Sequence, residues 1–98
     1  MALVVEYVMQ RPSTDVEFPV LDSQEQSSVE SLRERYHVNS AITISEDGLT
    51  WTMRQSCDDV TEYGDFYQAA GPHWDKSKIV TRCSEHNIDI SMSIVENT

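Results

Sequence analysis

The residues with the most chemical potential lie together at 73–75, where a histidine, a tryptophan and an aspartate follow a Gly-Pro pair. Such a break can bring a helix N-terminus to a cleft, with His73 as a general base, Asp75 orienting it and Trp74 forming a wall. The structural alternative, which we favour, has Trp74 in the core, His73 at the surface and Asp75 balancing the helix dipole. The candidate ligand-binding residues are His73, Trp74, Tyr63 and Tyr67, and no catalytic residue is assigned.

Other groups with metal-binding or nucleophilic chemistry are dispersed along the chain. Four carboxylates fall within residues 58–65, but acidic side chains are expected at a helix start, and no calcium-type loop accompanies them. The three histidines and two cysteines lack the spacing of a zinc site. Cys57 is followed by two aspartates, whose charges disfavour the thiolate that a nucleophile needs. We therefore expect no metal site, no cofactor and no catalytic thiol.

Charge and length argue against a nucleic-acid-binding, a membrane-spanning or a secreted protein. The 98 residues carry seventeen acidic and seven dispersed basic side chains, for a net charge of −10, which disfavours nucleic-acid binding. No apolar run reaches the ~20 residues of a membrane-spanning helix, and the start lacks the basic leader of a secretory signal. We expect one soluble domain over residues 1–98, in the cytoplasm, with reduced cysteines.

Residues 42–53 give the strongest structural signal. Two alternating runs flank Asp47-Gly48, a pair that favours a two-residue hairpin turn with positive φ angles. This turn sets the register, so that Ile44 faces Trp51 and Ile42 faces Met53 across the two strands. One face of the hairpin is then apolar and the other carries hydroxyl groups, as in an antiparallel sheet with one buried face.

The remaining periodicities complete the order of elements. Alternation predicts strands over residues 3–9 and 88–94, and a narrow apolar stripe predicts a helix over 23–36. A second helix opens at Asp59, breaks at Gly71-Pro72 and resumes to residue 86.

Two further signals concern the helix starts and the connector between the first strand and helix. Capping boxes are expected from Asp22 or Ser23 in the first helix and from Asp59 in the second. Residues 13–22 are too apolar for a free loop, and we expect them to pack over the sheet edge or a neighbouring subunit.

This order predicts an α+β protein with the ferredoxin-like βαββαβ arrangement, in which both helices lie on one face of a four-stranded antiparallel sheet. Right-handed crossovers place the first strand between the third and the fourth and leave the second at an edge. The face predicted beneath the helices carries Leu3, Val5, Tyr7, Ile42, Ile44, Leu49, Trp51, Met53, Ile88, Ile90, Met92 and Ile94. The opposite face is small and polar around Val4 and Val8, which favours a homodimer through this open face.

Two stretches carry a resemblance to a known group. The segment RPSTDVEF at residues 11–18 and the hairpin segment SEDGLT at 45–50, with the helical final third, resemble small ferredoxin-like proteins of tailed phages of marine origin. The function of that group is unknown, so the resemblance assigns no site residue. A looser similarity is to dimeric ferredoxin-like barrels, some of which bind small ligands between helices and sheet.

The sequence therefore favours a non-enzymatic structural or interaction protein that acts as a homodimer. The alternative is a small-molecule-binding protein or cofactor-free enzyme of the dimeric α+β barrel type. A cavity above ~300 Å³ lined by His73 would favour the alternative, whereas a filled core with His73 in solvent would favour the first function.

Overall fold

The computed structural model describes residues 3–97, which form a four-stranded antiparallel sheet and three helices. In chain order the elements are β1 (Leu3–Gln10), α1 (Ser23–Arg35), β2 (Asn39–Ile44), β3 (Thr50–Cys57), α2 (Val60–Lys76), α3 (Ile79–Glu85) and β4 (Asp89–Asn97). The strands lie in the order β2-β3-β1-β4. The predicted βαββαβ order, with the first strand between the third and fourth, is confirmed.

The β2–β3 hairpin has the predicted register, with Ile42 opposite Met53 and Ile44 opposite Trp51. The turn itself is longer than predicted. Only Gly48 has a positive φ, at 76°, and the Gly48 N–H donates to the Ser45 carbonyl at 2.9 Å. The Asp47 carboxylate accepts from the Ser45 hydroxyl at 2.6 Å and from the Leu49 N–H at 3.0 Å, which lowers the pKa of Asp47. These bonds stabilise a four-residue loop over the predicted two-residue turn.

The predicted break at Gly71-Pro72 is wrong, because α2 runs through Pro72 as far as Lys76. A proline inside a helix removes one backbone donor, and its ring crowds the residue before it. Gly71 has no Cβ that the Pro72 ring would crowd. The helix ends instead at Ser77, and Lys78 takes the left-handed conformation with φ of 55° before α3 begins.

The two long helices begin differently. The Asp59 carboxylate accepts hydrogen bonds from the backbone N–H groups of Thr61, at 2.8 Å, and Glu62, at 3.2 Å, which confirms this residue as the N-cap of α2. The other half of the predicted capping box is absent from the described residues, because the Glu62 carboxylate bonds His37 Nδ1. Asp22 occupies the N-cap of α1, but its side chain makes no capping bond within the described residues. The capping boxes predicted for α1 are therefore wrong. Only the backbone carbonyl of Asp22 takes part, accepting from Gln26 at 2.8 Å.

Two groups of buried side chains fill the space between sheet and helices. The first contains Leu3, Val5, Val29, Val38, Cys57, Tyr63 and Phe66, and the second contains Met9, Ile79, Cys83 and Ile88. The connector packs against the second group through Val16 and Phe18, so it lies on the core of its own chain. Arg11 fixes it there, donating to the carbonyls of Gly48 at 2.7 Å and Val16 at 2.8 Å, with its guanidinium 4.3 Å from the Phe18 ring centre.

The helices cover less of the sheet than predicted. The register places the expected apolar residues on the helix side, but those of β2 and of the middle of β4 remain exposed. The exposed fractions are 56% for Ile42, 55% for Ile44, 50% for Met92 and 61% for Ile94. The prediction that the helices bury them is wrong. The helices reach the two central strands, where Val5 and Met9 of β1 and Met53 of β3 are buried.

Candidate functional site

A cleft of about 300 Å³ lies between α1, α2 and the centre of the sheet. Its walls are largely aromatic, because Phe66, Tyr67 and Trp74 project from α2 and Tyr7 projects from the central strand β1. The Tyr7 and Trp74 rings lie 6.0 Å apart, centre to centre, at an angle of 48°. A concave, mainly apolar surface of this size is typical of a small-molecule site.

Helical periodicity explains why α2 supplies these walls. Phe66, Ala70 and Trp74 recur at four-residue intervals, so they lie on the face of α2 that is turned towards the sheet. Ala70 and Gly71 also line the cleft, and their small side chains leave it open at this level. Val29 on α1 and Met53 on β3 complete the apolar lining.

A chain of three polar side chains, two on the sheet and one on α2, lies beside the cleft. The Tyr7 and Tyr63 hydroxyl oxygens lie 3.4 Å apart, and the Tyr63 hydroxyl donates to Gln55 Oε1 at 2.9 Å. Burial raises the pKa of Tyr63 strongly, and its hydrogen bond with Tyr7 raises it further. Burial also raises the pKa of Tyr7, although the bond to Tyr63 opposes this. Both hydroxyls stay protonated at neutral pH and serve as hydrogen-bonding groups.

The four candidate residues separate into three positions. Trp74 and Tyr67 line the cleft directly. Tyr63 lies behind the lining, where its hydroxyl reaches Tyr7 and Gln55. His73 is partly buried beside the cleft rather than lining it, and its Nδ1 hydrogen-bonds the Glu25 carboxylate of α1, so this pair links the two helices. The proposed orientation of His73 by Asp75 is not what the geometry provides, since Glu25 is its carboxylate partner.

Sequence reasoning missed Gln55 and Tyr7 as site residues. Gln55 is only 4% exposed, although it is a polar residue on the helix side of the sheet. The alternation that placed Met53 inward continues through Gln55 to Cys57, so an amide at a core position was visible in the sequence. A polar group at such a position requires partners, and the Tyr63 hydroxyl supplies one to the Gln55 carbonyl.

Other chemical groups lie outside the cleft. Cys57 and Cys83 are buried, unbonded and in different core groups. Burial raises the pKa of the Cys83 thiol, with a smaller opposing effect from Arg82, so this thiol is a poor nucleophile. Within residues 3–97, no three His, Cys, Asp or Glu side chains converge as a metal site would require. None of the helices in this range is long and apolar enough to cross a membrane.

Comparisons with known proteins concern the fold. No protein-family model matches the sequence, and no curated protein matches it. A dimeric ferredoxin-like protein from an uncultured marine organism is 16% identical over 99% of this chain and 90% of that chain, with a TM-score of 0.53. The de novo designed protein Foldit4 is 10% identical over the full length of both chains, with a TM-score of 0.52.

A more remote likeness is to a hydantoinase/carbamoylase family amidase from Burkholderia ambifaria. It is 8% identical over 99% of this chain but 28% of that chain, with a TM-score of 0.43, and it supports no argument. The resemblance to marine proteins is supported as far as one dimeric ferredoxin-like structure from a marine organism. At these identities the comparisons establish architecture alone. The chain has the ferredoxin-like fold.

Proposed function

We propose that this protein is a non-enzymatic interaction protein that acts as a homodimer through the open face of its sheet. The proposal includes a cytoplasmic setting and an origin in phages or bacteria, in keeping with the sequence resemblance. The observation that carries it is the central strand β1, which presents Val4 and Val8 on the side of the sheet away from the helices. Val95 lies beside Val4 on this side and is 48% exposed.

The charges on this face suit a partner that is a second copy of the chain. Glu6 on β1 lies opposite Arg54 on β3, and their side chains approach to 3.3 Å between Oε2 and Nε. In a two-fold interface each surface meets its own copy, so a contact between Glu6 of one protomer and Arg54 of the other would occur twice. A pair of opposite charges near the middle of the face is therefore self-complementary, whereas two like charges would repel.

The size of the face suits a modest dimer. Four strands at ~4.8 Å spacing and ~26 Å of strand length give roughly 500 Å² per protomer and about 1,000 Å² in total. This area is near the lower limit for a specific interface, so we expect micromolar affinity. The dimeric ferredoxin-like protein of marine origin supports the proposal by analogy of fold.

The test is the molar mass in solution, measured by light scattering across a range of protein concentrations. We expect a monomer–dimer equilibrium that shifts towards the dimer as salt increases, because each protomer carries a net charge of −10 and salt screens their repulsion. Val8→Asp should abolish the dimer by placing a charge in the interface. Val80→Asp, at an exposed position on α3, is the matched control and should leave the dimer intact.

A monomer at every concentration and salt level would overturn the proposal. So would a dimer that Val8→Asp leaves unchanged while circular dichroism reports a folded variant. If Val8→Asp fails to fold, the salt dependence of the unmodified chain still decides, since a monomer in high salt contradicts the interface.

A further inference from the structure

We propose that the cleft between α1, α2 and the sheet binds a neutral, planar, two-ring aromatic molecule whose hydrogen-bond acceptor is held by the Gln55 side-chain amide. This inference is independent of the proposed dimer, because the cleft lies on the helix side of the sheet and the dimer interface on the other. It rests on three features: a donor left over at Gln55, the size of the cleft and the balance of charge around it.

The donor comes from the polar chain beside the cleft. Gln55 Oε1 accepts from the Tyr63 hydroxyl at 2.9 Å, so the amide is oriented with Nε2 pointing the other way. Within residues 3–97, Nε2 makes no hydrogen bond. Every side-chain nitrogen or oxygen in this range that is fully inaccessible to solvent has a partner. Nε2 therefore has accessible surface, and Gln55 lines the cleft while being 96% buried, with 4% exposed. The amide N–H groups face the cleft as unused donors.

The size and walls of the cleft define the shape of the ligand. A cavity of about 150 Å³ lined by apolar residues accommodates benzene, so one of about 300 Å³ accommodates two fused rings. Trp74, Tyr67 and Tyr7 provide aromatic surfaces on which a flat ligand stacks or packs edge-on.

The charges near the cleft favour a neutral ligand. Arg33 and Asp75 are the charged residues in its lining, one of each sign. Arg33 attracts an anion that Asp75 repels, and Asp75 attracts a cation that Arg33 repels, so the two lining charges together select neither sign. A neutral molecule with one carbonyl avoids both repulsions and uses the Gln55 donor, which otherwise has only solvent as a partner.

The experiment compares 2-acetylnaphthalene, which carries a carbonyl acceptor, with 2-ethylnaphthalene, which has nearly the same shape and no acceptor. Both are titrated into the ¹⁵N-labelled full chain and followed by NMR through the Gln55 side-chain amide and the Trp74 indole signals. We expect the ketone to bind about five- to tenfold more tightly than the hydrocarbon, the difference typical of one hydrogen bond to a buried donor. We expect both ligands to shift the indole signal of Trp74, and only the ketone to move the Gln55 amide signals strongly.

Two variants locate the site. Ala70→Phe fills the cleft and should abolish binding of both molecules, whereas Gln68→Phe, at an exposed position on the same helix, should leave binding unchanged. Gln55→Met keeps the volume and removes the donor, so it should reduce ketone affinity to that of the hydrocarbon. The proposal is overturned if neither naphthalene binds. It is also overturned if the two bind with equal affinity and the Gln55 amide signals do not move. If Gln55→Met does not fold, the Gln55 amide signals of the unmodified chain still decide, since the ketone alone should move them.

Discussion

Removing the Tyr63 hydroxyl tests whether the buried polar chain stabilises the fold. Tyr63 is 6% exposed and donates to Gln55 Oε1 at 2.9 Å, so Tyr63→Phe deletes a donor and keeps the ring in place. The carbonyl of Gln55, a residue that is only 4% exposed, is then left without its partner. Tyr7 does not substitute, since its hydroxyl lies against Tyr63 rather than Gln55.

The magnitude follows from the cost of an unpaired buried acceptor. Leaving such a group unsatisfied costs about 1–3 kcal/mol of unfolding free energy, so we expect Tyr63→Phe to destabilise the protein by that amount. Replacing both partners with apolar groups is much less costly, because no polar atom is then stranded. The double variant Tyr63→Phe with Gln55→Leu should therefore be less destabilised than the sum of the two single variants, by about 1 kcal/mol or more.

Urea denaturation of the four proteins of this cycle gives the measurement, with circular dichroism as the signal and the m-values compared to check two-state unfolding. Tyr67→Phe is the matched control, because Tyr67 lies on the same helix and is 50% exposed. It should change stability by less than about 0.5 kcal/mol. Additive single effects, or a Tyr63→Phe variant as stable as Tyr67→Phe, would refute the reasoning.

Three further predictions follow from backbone conformation, the connector and pH. Gly48→Ala should destabilise the fold by about 1 kcal/mol or more, because φ is 76° and a Cβ would lie 3.3 Å from a side-chain carbon. Gly64→Ala should stabilise it by about 0.5–1 kcal/mol, because a Cβ in the interior of α2 meets no neighbour there. Midpoints of thermal unfolding that shift in the same direction for both variants would contradict this. Arg11→Met should lower the free energy of unfolding in urea by about 2–3 kcal/mol through loss of two charge-assisted bonds, and a change under about 0.5 kcal/mol would exclude the anchoring role. Burial raises the folded-state pKa of Tyr63 above its unfolded value of about 10, so its stabilisation is fully present below pH 10 and is lost as the pH rises further. Between pH 9 and 11.5, the unfolding free energy should therefore fall less steeply for Tyr63→Phe than for the unmodified chain. Identical slopes would contradict the assignment.

The sequence predicted the register of the strands better than it predicted how much of the sheet the helices cover. Alternation and turn chemistry gave the pairing of Ile42 with Met53, because a one-residue slip would turn every apolar side chain outward. The order of strands came from the handedness of crossovers. The same alternation marks the face of a residue without saying how far the helices extend over that face. Ile42 and Ile94 therefore satisfy the pattern and still lie exposed at the two edges.

Helix boundaries and the polar part of the site were harder to predict. Pro72 is a strong local signal for a break, but packing of α2 against the sheet stabilises a continuous helix despite one lost hydrogen bond. Of the candidate residues, Trp74 and Tyr67 line the cleft because both project from the continuous α2, whereas the sequence placed Trp74 at the start of a new helix after Pro72. The partnership of His73 with Glu25 joins residues 48 positions apart, and no local pattern contains a contact between two separate helices.

The weak anchoring of α1 has a kinetic consequence for anything that enters the cleft. Val29 is the buried residue of this helix, and the start of α1 has no side-chain cap among the described residues, whereas α2 has the Asp59 cap and buries Tyr63 and Phe66. We expect the amides of α1 to exchange with solvent through local openings that require less free energy than those of α2. The α2 wall of the cleft is then fixed, whereas the α1 wall opens at a rate set by local unfolding of α1. For a ligand as large as the cleft, the observed association rate should level off at high ligand concentration, at the opening rate of α1.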